Sequence, residues 1–327
     1  MSTARRFEDT AIHVDVKDYY GKKLQKQTDL KSNACLAPSQ PTPTHVLKAL
    51  KKVHADVTDR YYGCGLVVPE CLEGCSILDL GSGSGRDCYM LSQLVGQSGH
   101  VTGIDMTEEQ LAVARAHIDH HMKEFGFKNP NVSFVQGYIE ALSEAGLQKN
   151  SFDIIISNCV VNLSPDKKRV LAEAYNVLKD GGEFYFSDVY SSDRLTEDIK
   201  QHKVLWGDYK FVSVTYRLFK TPKGSPEPRQ VMYNGNITGV EGAFQFDSQY
   251  TFKVNEVVEV DGEVASILSH SRFAGEFTFQ PQGGTSGPCA VRPQPAVVDP
   301  FQLVLQRGEK GSAAGGCCSA KSATCCK

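Results

Sequence analysis

The chain has 327 residues, enough for two domains or for one large α/β domain with an appendage. Hydrophobic residues at 41% and charged residues at 22% are ordinary globular usage and exclude a wholly disordered chain. A net charge of −3 argues against a broad basic face for nucleic acid. No apolar run nears the roughly 18 residues of a membrane span. The N-terminus has no apolar signal core. These features predict a cytosolic protein with no nucleic-acid or membrane partner.

The elements follow in chain order. Val46, Leu50, Val53 and Val57 recur at helical spacing behind Thr44, a candidate N-cap, after the breakers Pro38, Pro41 and Pro43. From about Cys71 short apolar strands alternate with amphipathic helices. The strands are predicted at Ser76–Leu80, His100–Ile104, Val132–Gln136, Phe152–Ser157 and Glu183–Ser187. One long helix is predicted over Thr107–Phe125, with Thr107 and Gln110 as its capping box. Another is predicted from Ser164 as N-cap to Leu178, stopped by Gly181–Gly182. Such alternation predicts an α/β fold with a doubly wound, mostly parallel sheet. Beyond Lys220 the period changes to two, at Phe244, Phe246, Tyr250, Phe252 and Val254, which predicts a smaller β-rich region. From Gln280 on, Pro, Gly, Ser and Ala predict a disordered tail. The expected division is therefore a helical segment over 1–70, an α/β domain over 71–220, a β-rich domain over 221–280 and a Cys-rich tail over 281–327.

Eleven cysteines stand at 35, 64, 71, 75, 88, 159, 289, 317, 318, 325 and 326. Without an export signal, free thiols are the expectation, with metal binding or redox chemistry as alternatives. No C-x-x-C pair supports a zinc ribbon. Cys75 and Cys88 read as core residues.

Ile77 to Gly85 (ILDLGSGSG) is a strand that ends in a glycine-rich turn and opens a helix, so that backbone N–H groups face a closely held ligand. Arg86 replaces the third glycine of a dinucleotide fingerprint. Asp105 ends the next strand, where a carboxylate accepts both hydroxyls of a ribose or else caps the following helix. Asp79, Gly81, Asp105, Glu140 and Cys159 all sit at carboxyl ends of predicted strands, where ligands of such sheets bind.

This pattern is similar to the core of class I S-adenosylmethionine (SAM)-dependent methyltransferases. Tyr61–Gly65, Leu78–Cys88, Val101–Met106, Ser157–Val160 and Phe186–Tyr190 resemble the arsenite methyltransferase family of animals, over roughly residues 12–279. The resemblance implies trivalent arsenic bound by Cys64 and Cys159, with Cys35 exchanging with Cys64. It also implies SAM held by Asp79, Gly81, Gly83, Gly85, Asp105, Met106, Ile139 and Glu140, with Tyr62 over the sulfonium. A thiol reductant, thioredoxin or glutathione, would restore the dithiol in a monomeric enzyme. Gly315–Cys318 resembles the family's cysteine-rich tail, whose other reading is a dispensable mobile end.

One departure stands out. The family carries a further substrate cysteine after a Trp-Gly pair, but here Trp206-Gly207 runs into Asp208–Arg217, which resembles the family's last strand. The 23 residues 188–210 are too few for a βαβ unit of ~30 or more. The resemblance thus implies an internal deletion after Gly207, loss of the edge strand and an incomplete substrate site. A metalloid-binding thiol protein without turnover, or a methyltransferase for an organic small molecule, are the alternatives.

Overall fold

The structure is a computed structural model that describes residues 9–24, 42–63, 65–193, 210–222, 227–281, 291, 293–295, 297 and 299–302. Cys35, Cys64 and all cysteines of the tail lie outside them. The chain divides into one compact unit of Met1–Val189 with Ser213–Gln294, and a second of Tyr190–Val212 with Pro295–Lys327.

In the first unit the helices α1 (Ala11–Asp18), α2 (Thr44–Leu50) and α3 (Ala55–Thr58) precede the sheet, and a π-helical turn, Tyr19–Lys23, extends α1. Strand β1 (Ser76–Leu80) and helix α4 (Arg86–Val95) open the alternation. It continues through β2 (His100–Asp105), α5 (Glu108–Ala116), α6 (Ile118–Phe125), β3 (Val132–Gln136), β4 (Phe152–Asn158), α7 (Lys167–Val177) and β5 (Leu178–Ser191). With β6 (Phe211–Phe219) these strands form one sheet in the order β3-β2-β1-β4-β5-β6. Strands β1 to β5 are parallel. The order reverses between β1 and β4, so the crevice for a ligand opens at the carboxyl ends of these two strands.

Strand β6 runs antiparallel to β5. Gly181 N donates to the Lys220 carbonyl at 2.7 Å and Lys220 N to the Gly182 carbonyl at 2.9 Å. In the second unit Ser192 N donates to the Lys210 carbonyl at 2.8 Å. Among the described residues β6 is the last strand of the sheet, and its burial is low along most of its length.

The central strands are apolar because both of their faces are covered. Ile77, Leu78, Leu80, Ile154, Ile155 and Ile156 are all fully buried, each side chain stabilising the fold by ~1.5–3 kcal/mol. Later in the chain, β7 (Arg229–Tyr233), β10 (Val257–Val260) and β11 (Phe277–Pro281) form a three-stranded antiparallel sheet, and β8 (Ala243–Gln245) pairs with β9 (Thr251–Lys253). Helix α8 (Gly262–His270) packs with them around Tyr233, Phe244, Phe252 and Phe273. The fold is therefore the expected mostly parallel α/β sheet with a β-rich C-terminal region.

Several local expectations fail. The long helix splits at His117, whose φ of −108° and ψ of 8° are not helical. The capping box does not form: Thr107 makes no side-chain cap, its hydroxyl bonding to Asp105, and Gln110 Nε2 donates to the Tyr20 carbonyl at 2.8 Å. Pro43, not Thr44, is the N-cap of α2, and Asp166, not Ser164, caps α7 by accepting from Arg169 N. Gly181 does not stop a helix. It lies within β5 with φ +79°, where any Cβ would strike the His270 carbonyl oxygen at 2.1 Å. Cys75 and Cys88 are buried as expected.

Candidate functional site

The turn after β1 is built on glycine conformations. Gly81 has φ +74° and Gly83 φ +54°. A Cβ at Gly81 would meet Val160 at 2.5 Å, whereas one at Gly83 would meet nothing within 4 Å. The loop so formed lines a cavity with about 990 Å³ of empty space, partly open to solvent. Asp79, Gly81, Gly83, Asp105, Met106, Ile139, Glu140, Tyr62 and Cys159 all line it. Gly85 is the exception. It is the N-cap of α4 with φ +87°, and a Cβ there would meet Phe134 at 2.7 Å, so its role is helix-to-strand packing.

Asp105 is held by backbone donors: Thr107 N to Oδ1 at 2.8 Å and Gly83 N to Oδ2 at 2.9 Å. The cap reading and the ligand reading of this carboxylate therefore share one side chain. Burial pushes its pKa up, against the Thr107 and Gly83 hydrogen bonds. Asp79 lies beneath the loop, accepts from the Cys88 thiol at 3.3 Å and is pushed up to about 8 by burial, with Asp87 and Asp105 adding to the shift. Between the ordinary carboxylate range and pH 8 the folded protein thus keeps a proton that the unfolded chain has released. Its contribution to stability is lost as pH rises through that window. Asp79→Asn keeps the shape and removes the titration. Its melting temperature is expected to gain on wild type steadily from pH 5 to pH 8, and a constant difference across that range would refute the protonated carboxyl.

Sequence reasoning missed the contacts of several contributors. His13, buried on α1, places Nε2 3.2 Å from Glu140 Oε1, and Ser164 Oγ donates to the same oxygen. Asn158 Nδ2 donates to the Tyr61 hydroxyl at 2.7 Å, while the Arg86 guanidinium stacks 3.1 Å from the Tyr61 ring centroid. Gln110 and Ser82 line the cavity, and Gln110 Oε1 and Ser82 Oγ are buried without a hydrogen-bond partner. Two buried polar atoms of this kind suit a ligand that supplies hydrogen bonds. A buried carboxylate on the cavity wall, a glycine cradle and these two atoms together fit a nucleoside-bearing group such as SAM. The signal for His13 spans 127 residues of sequence and no local pattern contains it.

Cys159 follows β4 with φ +58°, a left-handed conformation uncommon outside glycine. Its N–H donates to the Ser187 carbonyl at 2.7 Å, which fixes the turn at the cavity wall. Cys159 is disulfide-bonded, whereas Cys71, Cys75 and Cys88 are free. Nearby, Asp188 is buried with Oδ1 unpartnered. Burial pushes it up to about 6, opposed by a hydrogen bond from the Asn162 backbone and by Lys167.

A family model described as a methyltransferase domain matches residues 72–236, and one described as the arsenite methyltransferase C-terminal domain matches residues 226–326. The chain is 48% identical over 367 residues to the arsenite methyltransferase of Homo sapiens, an alignment that covers 96% of this chain and 98% of that one. It is 45% identical over 316 residues to the arsenite methyltransferase of Aquipseudomonas alcaligenes, covering 82% and 90%. The crystal structure of an arsenic(III) S-adenosylmethionine methyltransferase from Chlamydomonas reinhardtii superposes with a TM-score of 0.69 at 36% identity, covering 79% of this chain and all of that one. With the sheet order, the glycine cradle and Cys159 on its wall, these matches make the chain a member of the arsenite methyltransferase family.

Proposed function

We propose that this protein transfers methyl groups from SAM to trivalent arsenic held by thiolates. One observation carries the reading: Cys159 and the glycine–Asp105 cradle share a single cavity. Thiolates are the soft ligands that suit a thiophilic centre. In the proposed site Cys64 and Cys159 hold arsenic, and Cys35 exchanges with Cys64. Gly81, Gly83, Asp105, Met106, Ile139 and Glu140 bind the donor, and the Tyr62 ring faces its cationic centre. When bound, SAM supplies an electrophilic methyl on a positively charged sulfur. The arsenic lone pair needs no general base, and in this cavity His13 is engaged by Glu140 and Thr10. The chain's own contribution is alignment of two reactants.

A thiol reductant, thioredoxin or glutathione, completes the proposal. Support comes from the oxidised state of Cys159, since a disulfide must open by thiolate attack before either sulfur can bind arsenic. We further propose a monomer working in the cytosol. Among the described residues no helix is long and apolar enough to cross a membrane. The test is arsenic speciation after incubation of reduced protein with SAM and arsenite. Methylated arsenic from wild type and none from Cys159→Ser is the expected pair of results. Equal product from both would overturn the arsenic site.

Donor binding has its own test. Asp105→Ala removes an acceptor whose hydrogen bonds are each worth about 1.5–3 kcal/mol, and it also releases Gly83 N and Thr107 N. Calorimetry should show SAM affinity reduced at least tenfold, about 1.4 kcal/mol. Unchanged affinity in folded protein would remove Asp105 from the donor site.

A further inference from the structure

Away from the cavity, α3 and the α5–α6 junction bring together three potential ligands. His54, Asp56 and His117 offer one ligand atom each, all within 4.8 Å of one another. None of the three lines the methyl-transfer cavity. Asp56 Oδ2 lies 3.3 Å from His117 Nε2 and 3.7 Å from His54 Nδ1.

The protonation of His117 is fixed by its other nitrogen. Nδ1 lies 2.9 Å from the Val113 carbonyl, which can only accept, so Nδ1 carries the hydrogen. The neutral ring then points a lone pair from Nε2 at a carboxylate oxygen. Two acceptors at 3.3 Å require a positive charge between them, either a proton or a cation.

A second histidine organises the pair. His121 is fully buried and stacks on Tyr89 at 3.6 Å. Its Nδ1 donates to the His117 carbonyl at 2.7 Å and its Nε2 accepts from the His54 backbone N–H at 3.0 Å. One rigid ring thereby fixes the backbones of both imidazole residues. Outer-shell hydrogen bonds that set tautomer and position are the usual support of a metal-binding histidine. The break at His117, which no glycine or proline causes, is what turns this ring toward α3.

We propose that His54, Asp56 and His117 bind a divalent first-row cation of the zinc type, which clips the start of α3 to the end of α5. Two imidazoles with one carboxylate suit zinc, nickel or copper rather than magnesium or calcium. Ligands around tetrahedral zinc lie about 3.3–3.5 Å apart at ordinary bond lengths, close to two of the present separations. His54 must give up its Nδ1 bond from the Asp56 N–H, 3.2 Å long, to join them through that atom. Water or His120 completes the shell.

Cobalt(II) titration of the reduced full-length protein tests the site, because cobalt reports its ligands by colour. Wild type is expected to take up one equivalent more than Asp56→Asn or His117→Gln. The difference spectrum should show ligand-field bands without thiolate-to-cobalt charge transfer. Asp56 is exposed, so its variant carries the test if His117→Gln does not fold. Unchanged SAM affinity in either variant checks that the fold is intact. Equal uptake by wild type and variants would overturn the site and leave a histidine–carboxylate pair without a cation. A difference spectrum with thiolate charge transfer would overturn it as well, placing the cation on cysteines.

Discussion

Arsenite methylation by this chain is expected to rise by about a hundredfold when the segment proposed to be missing after Gly207 is restored from a full-length relative. The alignment with the human relative runs over 367 residues against 327 here, so that relative carries residues with no counterpart in this chain. The region of the junction, residues 194–209, lies outside the described residues. Arsenite has three coordination positions, and with the proposed ligands Cys64 and Cys159 alone the third would fall to water, glutathione or another thiol. A centre clamped at two points is less well aimed, and a misplacement of about 1 Å can cost about a hundredfold in rate. SAM affinity is expected to be equal in the two proteins, because every proposed donor residue precedes Gly207. Methylation by the present chain within a few-fold of the repaired one would end the deletion account.

The largest expected loss of stability comes from Glu183→Gln. Glu183 on β5 is fully buried, with the Arg217 guanidinium of β6 at 2.5 Å and that of Arg272 bound to its other oxygen. Arg217 also reaches Glu70 at 3.1 Å and sits among Tyr185, Phe246 and Phe273. This cluster holds β6 against β5 and joins the sheet to the β-rich region. Removing one partner of a buried pair leaves an uncompensated charge and costs about 3–5 kcal/mol. Burial works to raise the Glu183 pKa, but Arg217 and Arg272 outweigh it and hold the carboxyl below its ordinary range. Its contribution is therefore complete at neutral pH and fades in acid, as the carboxyl takes up a proton. Denaturant unfolding should show the full gap between wild type and variant at pH 7, narrowing below pH 4. A gap under 1 kcal/mol at pH 7 would show that the cluster does not secure β6.

The parallel strands were legible because their apolar runs and the turns between them repeat at short range. The glycine cradle was legible because ILDLGSGSG contains strand, turn and helix start within nine residues. What escaped the sequence was set by partners distant in the chain. Gln110 read as a capping residue, yet its amide bonds to Tyr20, 90 residues away. Ser164 read as an N-cap, and its hydroxyl went to Glu140 instead. Gly85 and Gly83 read alike, since φ is positive at both, and only the neighbouring Phe134 separates a packing glycine from a cradle glycine. The break at His117 carries no local mark at all, because His54 and His121 supply its reason.

The left-handed backbone at Cys159 sets two kinds of selection against each other. A side chain in that conformation costs ~1–2 kcal/mol that glycine would not incur. Under reducing conditions Cys159→Gly should therefore be more stable than Cys159→Ser by about 1 kcal/mol, although both lack the sulfur. Drift that favoured folding alone would carry this position toward glycine and silence the proposed chemistry without damaging the fold. A lineage relieved of arsenic exposure would be expected to lose this residue early, while its donor cradle outlived the reaction it served.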